Sequence, residues 1–290
     1  MFREIDYSAL PMRQSMAKVL LTDCAAELRH QLEHGRVATR AMEGGSLLDY
    51  LVFGLDSKYE VVDARYASGE RVGEQCTDWT SKASQLARKE ATARGLLAAL
   101  PIEIDEMEPQ AAEARARFAE LREQDTVHLQ QTIRWTSELG LACTGTPDWV
   151  LINTRTGCVR TADLKRVASV NPLKLQRQIA EMCWEVQAAA YREAALALAL
   201  QEWEEGLPVP WHGGHTVIAC QAEGRKAVRA YPLDAVFMEG GKKRWEKAQR
   251  KWLECIATGN WPDYPEDPIG PTLYYTRTEI ESFDFAEEEP

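Results

Sequence analysis

The chain has 290 residues, 45% of them hydrophobic and 27% charged, which suits one large core or two small ones. No apolar run is long enough to cross a bilayer: the best, Ala194 to Leu200, is short and flanked by Arg192, Glu193, Glu202 and Glu204. Seven cysteines (24, 76, 143, 158, 183, 220 and 255) stand singly, which excludes a disulfide frame, a zinc knuckle or an iron–sulfur cluster. The opening MFREIDYS lacks a secretory layout, so a cytoplasmic protein with reduced thiols is expected.

The net charge of −11 counts against a nucleic-acid partner, since phosphate contacts supply much of DNA affinity. A carboxylate metal site is itself a source of negative charge, however, and a local basic groove can coexist with an acidic exterior. Charge is also uneven. Lys242 to Lys251 carries six basic residues against Glu246 alone, whereas Thr276 to Pro290 holds six acidic residues against Arg277. The boundary falls near 270: residues 1–270 read as one domain, helical over about 1–130, and 271–290 as a flexible acidic tail.

Gln14 to Arg40 has apolar residues at helical spacing; Gly44-Gly45 is expected to break it, with Ser46 capping a short helix, Leu47 to Phe53. A strand is expected at Tyr59 to Asp63, then helices over Thr80 to Leu100 and Glu108 to Leu129. Strands follow at Thr132 to Ser137, Ala142 to Asn153 and Cys158 to Leu164. A helix of about 25 residues begins after Asn171-Pro172, and Gly206 to Gly214 reads as a loop. His215 to Gln221 and Ala227 to Tyr231 form a hairpin, and Asp234 caps a last helix. This order implies an α/β or α+β core with one mixed sheet flanked by helices.

A turn centred between Arg155 and Thr156 sets Asp148 opposite Asp163, their Cβ atoms roughly 5 Å apart. Lys165 shares the face of Asp163 by the strand period of two. Two carboxylates this close among apolar neighbours repel unless a cation lies between them, and hard oxygen ligands suit Mg²⁺ or Mn²⁺. A surface hairpin with an Asp–Lys salt bridge has the same spacing. On the following helix Gln187 and Tyr191 share one face among alanines.

The series Gly145-Thr146-Pro147-Asp148, Asp163-Leu164-Lys165 and Gln187 to Tyr191 resembles the GxxD, DxK and QxxxY motifs of PD-(D/E)XK nucleases of the RecB type. Gly45 to Leu48, Asp78 to Ala83 and Gly259 to Pro262 extend the resemblance toward the RecE-like phage recombination exonucleases, from about residue 5 to 265. The resemblance implies a restriction-endonuclease-like core and an exonuclease acting 5′→3′ on double-stranded DNA ends. It implies Asp148, Asp163 and the Leu164 carbonyl as metal ligands, Lys165 as catalytic, and Gln187 and Tyr191 as organising the site and contacting DNA. It further implies Mg²⁺, with Mn²⁺ substituting, a homo-oligomer, a single-strand annealing protein as partner and a phage-encoded enzyme in a bacterial host. Asp49 stands where the family has a histidine and is a further candidate ligand.

Lys242, Lys243 and Lys247 on the last helix are candidate DNA contacts, with Trp245 and Trp252 packing inward. His30 and His34 lack a third metal ligand, and His212 and His215 flank a Gly-Gly turn. A structure-specific or site-specific endonuclease, and a non-catalytic interaction protein on the same fold, are the competing readings.

Overall fold

Ten residues of apolar and polar alternation, Cys158 to Val167, form the central strand on which everything else is arranged. The computed structural model describes residues 5–36, 38–122 and 126–264. Its helices are α1 (Gln14–Thr22), α2 (Ala25–His34), α3 (Arg40–Phe53), α4 (Lys82–Ala93), α5 (Pro101–Leu121), α6 (Pro172–Glu181), α7 (Trp184–Gln201) and α8 (Ala235–Thr258). Its strands are β1 (Tyr59–Val61), β2 (Leu97–Ala99), β3 (Thr126–Leu129), β4 (Ile133–Thr136), β5 (Ala142–Gly145), β6 (Trp149–Asn153), β7 (Cys158–Val167), β8 (Trp211–Gln221) and β9 (Val228–Pro232). None of the helices is long and apolar enough to cross a membrane among the described residues.

Five strands form one mixed sheet in the order β3-β6-β7-β8-β9, parallel only between β7 and β8. The parallel pair needs a crossover, which α6 and α7 supply. The period of two then sorts the side chains. Val150, Ile152 and Val159 join the core built by α1, α7 and α8, and Val217 and Ala219 face Trp184 and Ala188. Trp149, Leu151, Ala162, Leu164 and Ile218 point the other way, into a core with α3 and α5. The result is an α/β structure with helices on both sheet faces, as the order of elements implies.

Several boundaries differ from the sequence-based expectation. Gly44 and Gly45 lie inside α3, so no break or Ser46 cap exists; Thr39 caps the helix instead, its hydroxyl accepting from the Met42 N–H. Gly44 is there for space: a Cβ would lie 3.0 Å from Arg166 Nη1. The helix expected over Gln14 to Arg40 is two helices, with the Cys24 thiol capping the second. The stretch Thr80 to Leu100 ends in β2, which pairs with β1, and Glu108 to Leu129 ends in β3. Ala142 to Asn153 is two strands in different sheets, separated at Thr146-Pro147-Asp148, where proline has no N–H for a ladder. The long helix after Pro172 divides at Cys183, whose φ of 54° lies in the left-handed region. β8 begins at Trp211 rather than after Gly214, with Gly213 so close to Cys158 Sγ that a side chain would overlap it. The expected acidic tail, 271–290, lies outside the described residues.

α7 and α8 approach closely at Gly241, where a Cβ would overlap the Glu185 carbonyl oxygen. Gly241→Ala is therefore expected to destabilise the protein by about 3 kcal/mol, despite the better helix propensity of alanine. Denaturant unfolding measures this; an unchanged midpoint would mean the two helices are free to separate.

Candidate active site

The β6–β7 hairpin turns at Asn153, whose carbonyl accepts from the Thr156 and Gly157 N–H groups. It pairs Trp149 with Ala162 and Val150 with Thr161, so Asp148 arrives opposite Asp163. Asp148 is buried, as is Asp163 at 2% exposure. Asp148 Oδ2 accepts from the Leu164 N–H at 2.6 Å and Oδ1 accepts from Gln130 Nε2 at 2.6 Å. Burial, then the charges of Asp163 and Asp49, push the Asp148 carboxyl well above the usual carboxylate range.

Lys165 lies largely buried on the same face, ion-paired with Asp163 Oδ2 and 5.7 Å from the Trp184 ring centroid. Burial disfavours its ammonium, but Asp163 and Asp148 outweigh that and hold its pKa above the ordinary lysine value. Lys165 is thus a protonated cation at neutral pH. The surface-hairpin alternative does not describe this arrangement, because the pair is enclosed between the sheet and α7.

Gln187 and Tyr191 are both buried on α7, and their polar atoms are turned inward. Gln187 Nε2 donates to Asp163 Oδ1 at 3.3 Å, and Tyr191 Oη donates to the Thr146 carbonyl at 3.1 Å. They orient the carboxylate and the segment that carries Asp148. Gly145 makes room for this: a Cβ there would lie 3.1 Å from Tyr191 Cε1.

Two residues near the pair carry no signal in the sequence pattern. Gln130, after β3, grips Asp148 twice, through its side chain and through its N–H to the Asp148 carbonyl at 3.1 Å, at a φ of 47°. His215 is buried on β8 and shares a 2.8 Å hydrogen bond with Thr161 Oγ1, beneath Asp163 on the same face. Burial, partly offset by Asp163 and then reinforced by Lys165, lowers its pKa to about 4, so it is neutral. His212 also reaches Thr161, at 3.4 Å; both histidines belong to the strand rather than to a turn.

Asp49 sits in the middle of α3, half-buried, and its charge is felt by Asp148 and Lys165. Burial, partly offset by Lys165 and then reinforced by Asp163, raises its pKa to about 7. Among the described residues no three His, Cys, Asp or Glu side chains converge as a ligand cluster. An ion placed here could be held by the Asp148–Asp163 pair with main-chain oxygen and water, with Asp49 close enough for its charge to be felt by Asp148. That set suits Mg²⁺, which keeps several waters and takes one or two carboxylates. Two buried carboxylates side by side, each raising the cost of ionising the other, are the feature a cation would relieve.

Several α8 cations have partners, while Lys247 and Arg250 are exposed with no acidic partner among the described residues. Lys242 pairs with Glu138 and Glu246, Lys243 with Glu239, and Arg244 with the buried Glu185. Lys251 donates to the Leu20 carbonyl. Trp245 and Trp252 are buried in the core shared with α1 and α7. No contact brings Lys242, Lys243 or Lys247 to the Asp148–Asp163 pair. His30 and His34 stack on each other, with ring centroids 4.3 Å apart, at the surface.

No protein-family model and no curated protein matches the chain. Among solved structures, that of a "putative exonuclease" from Eubacterium rectale superposes with a TM-score of 0.52 at 13% identity. The match covers 97% of this chain and 95% of the other, so the two share a fold over nearly their full lengths.

Proposed function

We propose that the chain is a Mg²⁺-dependent DNA exonuclease that acts on linear double-stranded ends, 5′→3′, to expose single strands for recombination. The observation that carries this reading is the enclosed set of Asp148, Asp163 and Lys165, two carboxylates and a cation on one sheet face. The likeness to an exonuclease fold supports it. Mg²⁺ would be held by Asp148, Asp163 and the Leu164 carbonyl, supplying Lewis-acid activation of water and neutralisation of phosphate charge.

The chain's own residues do the rest. Lys165, kept protonated by Asp163 and Asp148, offers a fixed positive charge where negative charge grows on the attacked phosphate. Gln187 holds the Asp163 carboxylate, while Gln130 and the Leu164 N–H hold that of Asp148, so neither reorients during reaction. Neutral His215 props Thr161 beneath Asp163 without adding a charge. A homo-oligomer and a single-strand annealing partner belong to this reading as further proposals.

Dependence on an end is testable directly. Linear duplex should be degraded to mononucleotides in Mg²⁺ while covalently closed circles persist, as followed by release of acid-soluble label. Rapid nicking of the circles would replace the exonuclease by an endonuclease.

A further inference from the structure

A polyanion approaching three carboxylates on a chain of net charge −11 needs cations, and Lys242 and Lys243 of α8 already pair with acidic residues. Others lie around the N-terminal half of α3. Arg166, directly after Lys165, lays its guanidinium against Gly44, with Nη1 3.0 Å from the Cβ position that glycine leaves empty. No acceptor among the described residues takes its hydrogen bonds. Next along α3, Glu43 is shared by Arg40 at 2.7 Å and by Arg88 of α4. Glu43 lies six residues before Asp49, about 9 Å along the helix axis.

An open pocket of about 570 Å³ begins at Glu43, lined also by Trp79, Gln85, Arg88 and Lys89. Trp79 is fixed in it: its Nε1 donates to Glu103 Oε1 at 3.0 Å, and the Arg40 guanidinium lies 5.0 Å from its ring centroid. Lys89 is exposed and has no acidic partner among the described residues. The local balance is positive by one charge, with Arg40, Arg88 and Lys89 against Glu43 and Glu103. An indole in a cationic pocket is how proteins hold unpaired nucleotides, with the base on the ring and the phosphates on Arg and Lys.

We infer that the Trp79 pocket binds a nucleotide of an unpaired strand of the substrate. The inference rests on the nuclease reading and adds to it which strand form, and which residues, guide the substrate. Gln85, at the pocket wall, has its amide on the Thr80 carbonyl at 3.2 Å, so the wall is preformed. Base recognition here is by stacking and is therefore tolerant of sequence.

The test uses the full chain, short oligothymidylate carrying 5-iodouracil, and Ca²⁺ in place of Mg²⁺. Trp79→Leu is expected to weaken binding about tenfold by fluorescence anisotropy, the scale of one stacked base. Lys89→Glu, an exposed change that spares the fold, should weaken it similarly and flatten its salt dependence by roughly 0.7 log units per lost phosphate contact. Irradiation of the wild type should cross-link the iodinated base to the peptide containing Trp79. Wild-type affinity in both variants, or a cross-link elsewhere with Trp79 unmodified, would overturn the inference while leaving cleavage by the wild type to speak for the nuclease. Trp79-dependent binding by a chain that cleaves nothing would sustain the pocket and sink the nuclease.

Discussion

Lys165→Ala is expected to lower the rate of DNA cleavage on the order of a thousandfold, with kcat carrying the loss and KM little changed. The ammonium sits where charge develops, enclosed and pre-aligned by its pairing with Asp163, so its stabilisation is felt in the transition state rather than on binding. Removing one such preorganised group typically costs a factor of about 10² to 10³. The fold should survive. With the cation gone, Asp148, already disposed to hold a proton, can stay neutral beside Asp163. Lys165→Arg should recover little, because a planar fork does not replace a compact ammonium in an enclosed site. Single-turnover cleavage of labelled duplex decides the matter, and a near-wild-type rate in Lys165→Ala would remove the lysine from the chemistry.

The second large effect concerns pH. Asp49 has a pKa of about 7 in the folded protein against an ordinary 3.8, with burial the first cause. An acid whose folded pKa is raised favours folding fully below its unfolded value and loses that contribution as pH climbs through the folded one. The metal-free protein should therefore lose stability between about pH 4 and about pH 7 through Asp49. Asp148, whose carboxyl is also pushed upward by burial, adds to the loss. Mg²⁺ should reverse the trend, since binding needs ionised carboxylates and expels protons. Its affinity, and the rise in unfolding temperature it produces, should grow from about pH 5 to about pH 8. Asp148→Asn should abolish most of the Mg²⁺ effect. Asp49→Asn should flatten the pH dependence of the metal-free protein and raise the Mg²⁺ concentration needed for half-maximal activity. Thermal unfolding across pH, with and without Mg²⁺, separates these outcomes; a flat profile would mean that the carboxylates are solvated.

The β6–β7 register was legible because a short turn and a period of two leave few alternatives once the buried face is known. The pairing of Asp148 with Asp163, and the face shared by Lys165, follow from it. The glycines were harder to read. Gly44 looks like a helix break, since glycine costs about 1 kcal/mol in a helix. Its real reason, the Arg166 guanidinium from a strand 122 positions away by number, is tertiary. Gly145 is similar, kept small by the Tyr191 ring. The histidines at 212 and 215 were misplaced because Gly213-Gly214 reads as a turn, whereas Gly213 serves close approach to Cys158 within β8. Gln130 was invisible, because nothing in a run of polar residues after β3 marks the one whose amide reaches Asp148. The basic stretch on α8 looked like a DNA face by composition alone. Lys242, Lys243 and Arg244 pair with Glu138, Glu246, Glu239 and Glu185, of which only Glu239 and Glu246 lie near them in sequence, while Lys247 and Arg250 are exposed.

The most direct test of the central claim is the release of acid-soluble nucleotides from linear duplex DNA by the wild type and by Asp163→Asn. Each is assayed with Mg²⁺ and with chelator. Asp163→Asn keeps the side chain's shape and its place beside Gln187 while removing the charge that Lys165 and a metal ion would share. The account predicts rapid release by the wild type in Mg²⁺, none with chelator, and a loss on the order of a thousandfold or more in Asp163→Asn. Release by the wild type with chelator present, or equal release by Asp163→Asn in Mg²⁺, would contradict it.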